Sequence, residues 1–200
     1  VKQKKRLLPI IIAAVLAVAV LAGGTFAVIK LIPEREEDSN PSVEAVKLID
    51  ESPNDFKSVT VTNENGTFKL YSVEETVEGD TSSGSETEIK WYLDGYDKEL
   101  INTSLASYTV DYASSVEVIK EITAKTAAEC GLENPVAKVD IVKNDGTEFS
   151  LLIGGDSPDN TGTYVKLSTS DKIYIAESEI KENLRVFIKS AIMREEALDH

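Results

Sequence analysis

Ser178 and Lys181 stand at the Ser-x-x-Lys spacing that in some hydrolases sets an amine base beside a nucleophilic hydroxyl on one turn of helix. Here the pair falls where a helix is expected to begin, so capping by Ser178 and solvent exposure of Lys181 account for it more simply. Asp156, Asp159 and Asn160 ahead of Gly162 gather oxygens of the kind calcium takes. The EF-hand spacing and its bidentate glutamate are missing, which favours a solvated polar loop. Gly154-Gly155 after the apolar run Leu151 to Ile153 suggests a phosphate loop. No Gly-Lys-Ser/Thr follows, and Pro158 opposes a helix, so a turn is expected.

Histidine chemistry has little to work with. The one histidine is His200, the last residue, so a Ser-His-Asp or Cys-His arrangement inside the domain lacks its base. With one cysteine, Cys130, zinc and other nitrogen or sulfur metal sites lose their usual ligands, and no intrachain disulfide forms. Cys130 reads as a small buried apolar group, with a reactive thiol as the alternative. Carboxylate pairs for glycoside hydrolysis cannot be picked out by spacing among 35 acids, so that class stays open. Asn65-Gly66-Thr67 and Asn102-Thr103-Ser104 match the glycosylation acceptor pattern, which matters only in a eukaryotic secretory route. No catalytic residue, metal ligand or cofactor site is assigned.

Charge and hydropathy place the chain. Leu7 to Ile29 is uncharged, with Lys2, Lys4, Lys5 and Arg6 before it and Glu34, Glu36, Glu37 and Asp38 after it. Twenty-three residues give roughly 34 Å of helix, enough to cross a hydrocarbon core of roughly 30 Å. The basic flank stays cytoplasmic, which puts the following domain outside the cell membrane. A cleaved secretory signal with small residues Ala22, Gly23 and Gly24 is the competing reading. The apolar stretch exceeds the roughly 7 to 15 residues of a signal core and favours an uncleaved anchor. Gly24 stands where a lipoprotein anchor needs cysteine. The start at Val1 suggests a trimmed chain. From Pro33 onward 16 basic groups face 35 acids, a net of −19, which argues against nucleic-acid partners.

Five segments follow: a basic tail at 1–6, a signal-anchor at 7–32, an acidic stalk at 33–55, and two β-rich units at 56–125 and 126–200. The stalk holds one amphipathic piece, a helix capped by Asn40 with Pro41 in its first turn and Val43, Val46 and Ile49 on one side. In the first unit Val59 and Val61 alternate with threonines before Asn65-Gly66, whose tolerance of positive φ at both positions predicts a tight hairpin. Glu74 to Glu88 reads as a long loop, and Ile89 to Leu93 as a strand with Ile89, Trp91 and Leu93 on one face. Asp97 is expected to cap a helix with Ile101, Leu105, Tyr108 and Tyr112 turned to the core.

The second unit repeats the pattern. Val139 and Ile141 lead to Asp145-Gly146 and a return through Phe149, Leu151 and Ile153, with the two turns 80 residues apart. Strands at Thr163 to Leu167 and Ile173 to Ile175 precede a helix near Glu177 to Ile192. Two related β-β-β-α units follow as a hypothesis, although the return strands slip by one residue. The predicted fold is α+β: an N-terminal transmembrane helix, then antiparallel β-hairpins with packed helices.

From Trp91 onward the residues resemble a bacterial family catalogued as domain of unknown function 4340. The resemblance lies in Trp91-Tyr92-Leu93 before a helix, Gly131-Leu132-Glu133-Asn134-Pro135, Val139-Asp140-Ile141 with Asp145-Gly146, Leu152-Ile153-Gly154, Tyr164-Val165 and Ile173-Tyr174. Cys130 departs from it, since the family more often has an aromatic residue before Gly-Leu. The resemblance implies longer chains, a single span with an extracytoplasmic domain, and association with ABC-type transport systems, and it carries no catalytic residues. Independently of it, Gly131 suits the left-handed residue that ends a helical turn.

The expectation is a non-enzymatic, membrane-anchored extracytoplasmic binding or scaffolding subunit, an accessory of an ABC-type envelope transport complex. It would touch the lipid bilayer through its N-terminal helix and a protein partner through its domain. The rivals are a carboxylate-based cell-wall or glycan-processing enzyme and a calcium-dependent adhesion or sensor module using the Asp156 to Gly162 loop.

Overall fold

The computed structural model describes residues 46–78 and 85–195. The expected anchor, the Asn40 cap, the centre of the expected long loop and His200 lie outside the described residues. Among the described residues no helix is long and apolar enough to cross a membrane.

Among the described residues nine strands form one sheet: β1 (Val46–Asp50), β2 (Phe56–Asn63), β3 (Gly66–Glu78), β4 (Ser85–Leu93), β5 (Ser115–Ile122), β6 (Ala137–Lys143), β7 (Glu148–Asp156), β8 (Thr163–Leu167) and β9 (Ile173–Ala176). Their order is β1-β5-β9-β8-β7-β6-β2-β3-β4, and every neighbouring pair is antiparallel. The long helix of the described residues, α1 (Thr103–Ser114), contacts β4 at one edge and β5 and β1 at the other. The sheet must therefore curl around it. The core is the face toward α1, with Val59, Val61, Leu70, Trp91, Leu93, Val139, Ile141, Leu151 and Ile153 buried against Ala106, Val110 and Ala113. A smaller cluster on the opposite face packs Cys130 and Leu132 against Tyr164, Ile173 and Ile175.

The hairpins stand where alternation places them, but their turns differ from the expectation. β2 and β3 are joined across Glu64 and Asn65, and Asn63 pairs with Gly66. Positive φ falls on Gly66 and Gly146 and not on Asn65 or Asp145. Each glycine thus closes the turn from just past its centre, where only a residue without Cβ takes that angle cheaply.

The one-residue slip has a physical account. Val61 faces Phe68 and Val59 faces Leu70, while Ile141 faces Phe149 and Val139 faces Leu151. One additional residue in the second turn keeps the same apolar pairs opposed. β2 and β6 also pair with each other, Thr60 against Asp140, 80 residues on, and Val59 against Ile141. A local two-fold passes through that central pair and relates β2-β3 to β6-β7.

Several expectations are corrected. Val46–Asp50 is a strand at the sheet edge, not a turn of a stalk helix, because Val46 to Asp50 pair with Val118 to Ser115. The expected loop Glu74 to Glu88 is largely ladder, with Glu74 opposite Ile89 and Glu78 opposite Ser85. Asp97 caps nothing through its side chain; Asn102 does, its Oδ1 accepting from Leu105 N at 3.2 Å. α1 then runs directly into β5 at Ser115, a strand signalled only by Val116-Glu117-Val118.

The C-terminal helix is broken. A single α-turn, Ser178–Ile180, passes into a π-helical turn, Lys181–Arg185, and a separate 3-10 turn follows at Lys189–Ile192. Phe187 causes the break. Its ring is buried edge-on against Phe68, centroids 5.3 Å apart, and its carbonyl accepts Asn63 Nδ2 at 2.9 Å, so it is spent on another element.

Candidate functional site

The residues singled out for chemistry converge, though not in a reactive form. Asp156 ends β7, Thr163 opens β8, and Ser178 and Lys181 sit on the helical turn above them, around a depression of about 180 Å3 that also takes in Asn160 and Gly162. Lys181 Nζ donates to Asp156 Oδ2 at 2.9 Å, Thr163 Oγ1 donates to Oδ1 at 3.1 Å, and Arg185 also bonds Oδ1. Ser178 is the first residue of its turn and makes no cap; the N-cap position is Glu177. A lysine that serves as base must reach the hydroxyl it activates, and Lys181 Nζ is bonded to Asp156 instead. This pairing therefore works against a Ser-Lys nucleophile.

The neighbouring loop satisfies itself. Ser157, buried at its base, donates to Asp159 Oδ1 at 2.6 Å and accepts from Thr161 N and Gly162 N at 3.1 and 3.2 Å. Thr161 Oγ1 also donates to Asp159 Oδ1, at 2.8 Å. These donors, Ser157 first, pull the Asp159 carboxyl down to about 2. An oxygen that accepts so many hydrogen bonds from its own loop is poorly placed to bind calcium. Among the described residues no three acidic, histidine or cysteine side chains group as metal ligands do. Gly154-Gly155 is no turn: both residues lie inside β7, where Gly155 N donates to Cys130 O at 3.0 Å.

Lys181, Thr163 and Arg185 together hold the Asp156 carboxyl below the ordinary aspartate range. A depressed carboxylate stabilises the fold above its unfolded pKa of about 4, and that contribution is lost as pH falls. With Asp156 one-third exposed, solvent discounts the effect. Asp156→Asn is expected to cost about 1 kcal/mol at pH 7 and less at pH 3, where protonation of the unfolded chain has begun to remove the contribution. Urea titrations at the two pH values check this, and an equal loss at both would show that the cluster acts through packing alone.

A larger concavity lies elsewhere. Leu105, Tyr108 and Tyr112 recur at i, i+3 and i+7 on the outer side of α1, opposite Val186, Phe187 and Ile188, and enclose about 510 Å3. Leu105 is 40% exposed, Tyr108 61%, Val186 43% and Ile188 44%. This corrects the expected core stripe: of its members only Ile101, which precedes the helix, is fully buried. α1 carries a second stripe, Ala106, Val110 and Ala113, and the sheet takes that one. Small side chains let a helix lie close to a curled sheet, whereas tyrosines there would hold it off.

At Tyr112 the groove meets a second depression of about 240 Å3, lined by Ser115, Glu117, Glu177, Glu179 and Ile180. Asp111, whose carboxyl partial burial pushes up, is not among its lining. The groove presents apolar and aromatic surface with an acidic mouth. The sequence signals were there in Val186-Phe187-Ile188 and in Glu177 and Glu179, but the expected continuous helix hid them.

A family model described as Domain of unknown function (DUF4340) matches residues 91–198. No curated protein and no solved structure matches the chain. Every residue named in the groove and its mouth lies within the matched span.

Proposed function

The chain belongs to the DUF4340 family, and from that premise we propose that it is a non-enzymatic binding or scaffolding subunit. The observation that carries this reading is a helix apolar on two sides, with one side packed and the other exposed along the groove. A contiguous apolar surface of this kind marks interaction sites more often than it is left to solvent. The self-paired chemistry at Asp156 and Asp159 is in keeping with it.

In this reading Leu7 to Ile29 is a single-pass anchor in the cell membrane, with the domain extracytoplasmic, and the groove faces a protein of the same membrane complex. An ABC-type envelope transport complex is the assembly this proposal names. β2-β3 and β6-β7 are taken as copies of one hairpin unit, the first followed by β4 and α1, the second by β8 and a further strand, β9.

Capture of the full-length protein from solubilised membranes tests the proposal, with Tyr108→Asp as the comparison. Transporter subunits are expected with the parent chain and lost by about tenfold with the variant. Equal recovery with both, or none with the parent, would refute the assignment.

A further inference from the structure

We propose that the occupant of the α1 groove is an amphipathic helix of another protein, carrying lysine or arginine at the end that lies over Glu117, Glu177 and Glu179. This rests on the binding reading and adds the chemistry of the partner. Two observations carry it.

The first is shape. Leu105, Tyr108 and Tyr112 form a straight stripe on α1, whose 12 residues extend roughly 18 Å. The opposite wall, Val186 to Ile188, is apolar. A stripe at i, i+3 and i+7 flanked by a second apolar wall is what an incoming helix fills with its own i, i+4 and i+7 side chains.

The second is charge. The apolar groove opens at Tyr112 on three glutamates, with Glu182 on its own wall. Lys181 and Arg185, the cations of the adjoining turn, are both committed to Asp156, and Lys47, across the ladder from Glu117, is bonded to Asp50. An acidic mouth next to an apolar floor selects a basic residue next to an apolar face and repels acidic partners and anionic lipid headgroups alike. A second copy of this acidic chain meets the same repulsion.

Two experiments on the full-length protein in detergent micelles and in cells decide the matter. The first uses a synthetic helical peptide of about 18 residues with leucine at i, i+4, i+7 and i+11 and lysines in the turn over the mouth, and a twin with glutamates in their place. The lysine peptide is expected to bind at least about tenfold more tightly, with the gap narrowing as salt rises. Tyr108→Asp is expected to abolish both, and Glu177→Lys with Glu179→Lys to invert the preference. Equal binding of the twins, or a preference unmoved by the charge reversal, would overturn the inference.

The second places a photo-crosslinking phenylalanine derivative at position 108, which is 61% exposed, and sequences the peptide attached to it. An amphipathic basic segment of another protein is expected. An acidic or uncharged segment would overturn this inference while leaving the binding reading intact. A second copy or a lipid would overturn the choice of occupant, and no crosslink at all would overturn both readings.

Discussion

Gly154→Ala is expected to lower stability by about 3 kcal/mol, a fall in melting temperature of roughly 6–12 °C. A Cβ built at 154 would stand 2.2 Å from Cys130 O and 3.2 Å from two side-chain carbons of Leu132. Relief requires the Thr126 to Leu132 segment to lift. That carbonyl is already held by Gly155 N at 3.0 Å, so lifting costs a hydrogen bond as well as the packing of Cys130 and Leu132 on Tyr164, Ile173 and Ile175. Gly155→Ala supplies the contrast: its Cβ would meet Cys130 O at 3.9 Å, ordinary contact, and the change is expected to stay within about 0.5 kcal/mol. The Cys130 thiol gives a second readout. It is 1% exposed and burial pushes its pKa up, so it should resist alkylation in the parent and in Gly155→Ala and react in Gly154→Ala. Equal stability of the two variants would sink the close-approach account.

The second large effect separates neighbours on one helix. Val110→Asp is expected to cost at least about 4 kcal/mol and leave little folded protein, because Val110 is fully buried and a carboxylate there has no partner. A margin of about 5–15 kcal/mol does not absorb that comfortably. Tyr108→Asp, two residues away and 61% exposed, is expected to change stability by less than about 1 kcal/mol. Chemical denaturation of both variants checks the pair. If Tyr108→Asp proves the more damaging, the outer face of α1 is core after all.

The amino-acid sequence ranks those two positions the other way, which shows what it can and cannot convey. Leu105, Tyr108 and Tyr112 are larger and recur at helical spacing, so periodicity alone chooses them as the buried side. Ala106, Val110 and Ala113 recur just as well, and the choice between the stripes belongs to how closely the sheet can approach. Strands β2, β6, β7, β8 and β9 were legible because alternation with period two survives any tertiary context. Gly131, at φ +70°, and the burial of Cys130 were legible for similarly local reasons. β1 was not, since Val46 to Asp50 is a strand only by virtue of β5, some 70 residues away. The meeting of Ser178 and Lys181 with Asp156 was hidden for the same reason, each residue being visible and their pairing not.

The pairing of β2 with β6 also bears on how the chain assembles in time. The hairpins β2-β3 and β3-β4 close locally, but β2 waits for a neighbour 80 residues later, and β5 waits on both β1 and β9. Sheets built from such distant pairings fold on the slow side, milliseconds to seconds. Meanwhile β2 offers an open edge bearing Val59 and Val61. Because β6 is its counterpart across a local two-fold, the nearest imitation of the missing strand is the β2 of another chain. The same near-symmetry that completes the sheet thus defines its most natural error, an edge-to-edge dimer that pairs β2 with β2 before β6 arrives.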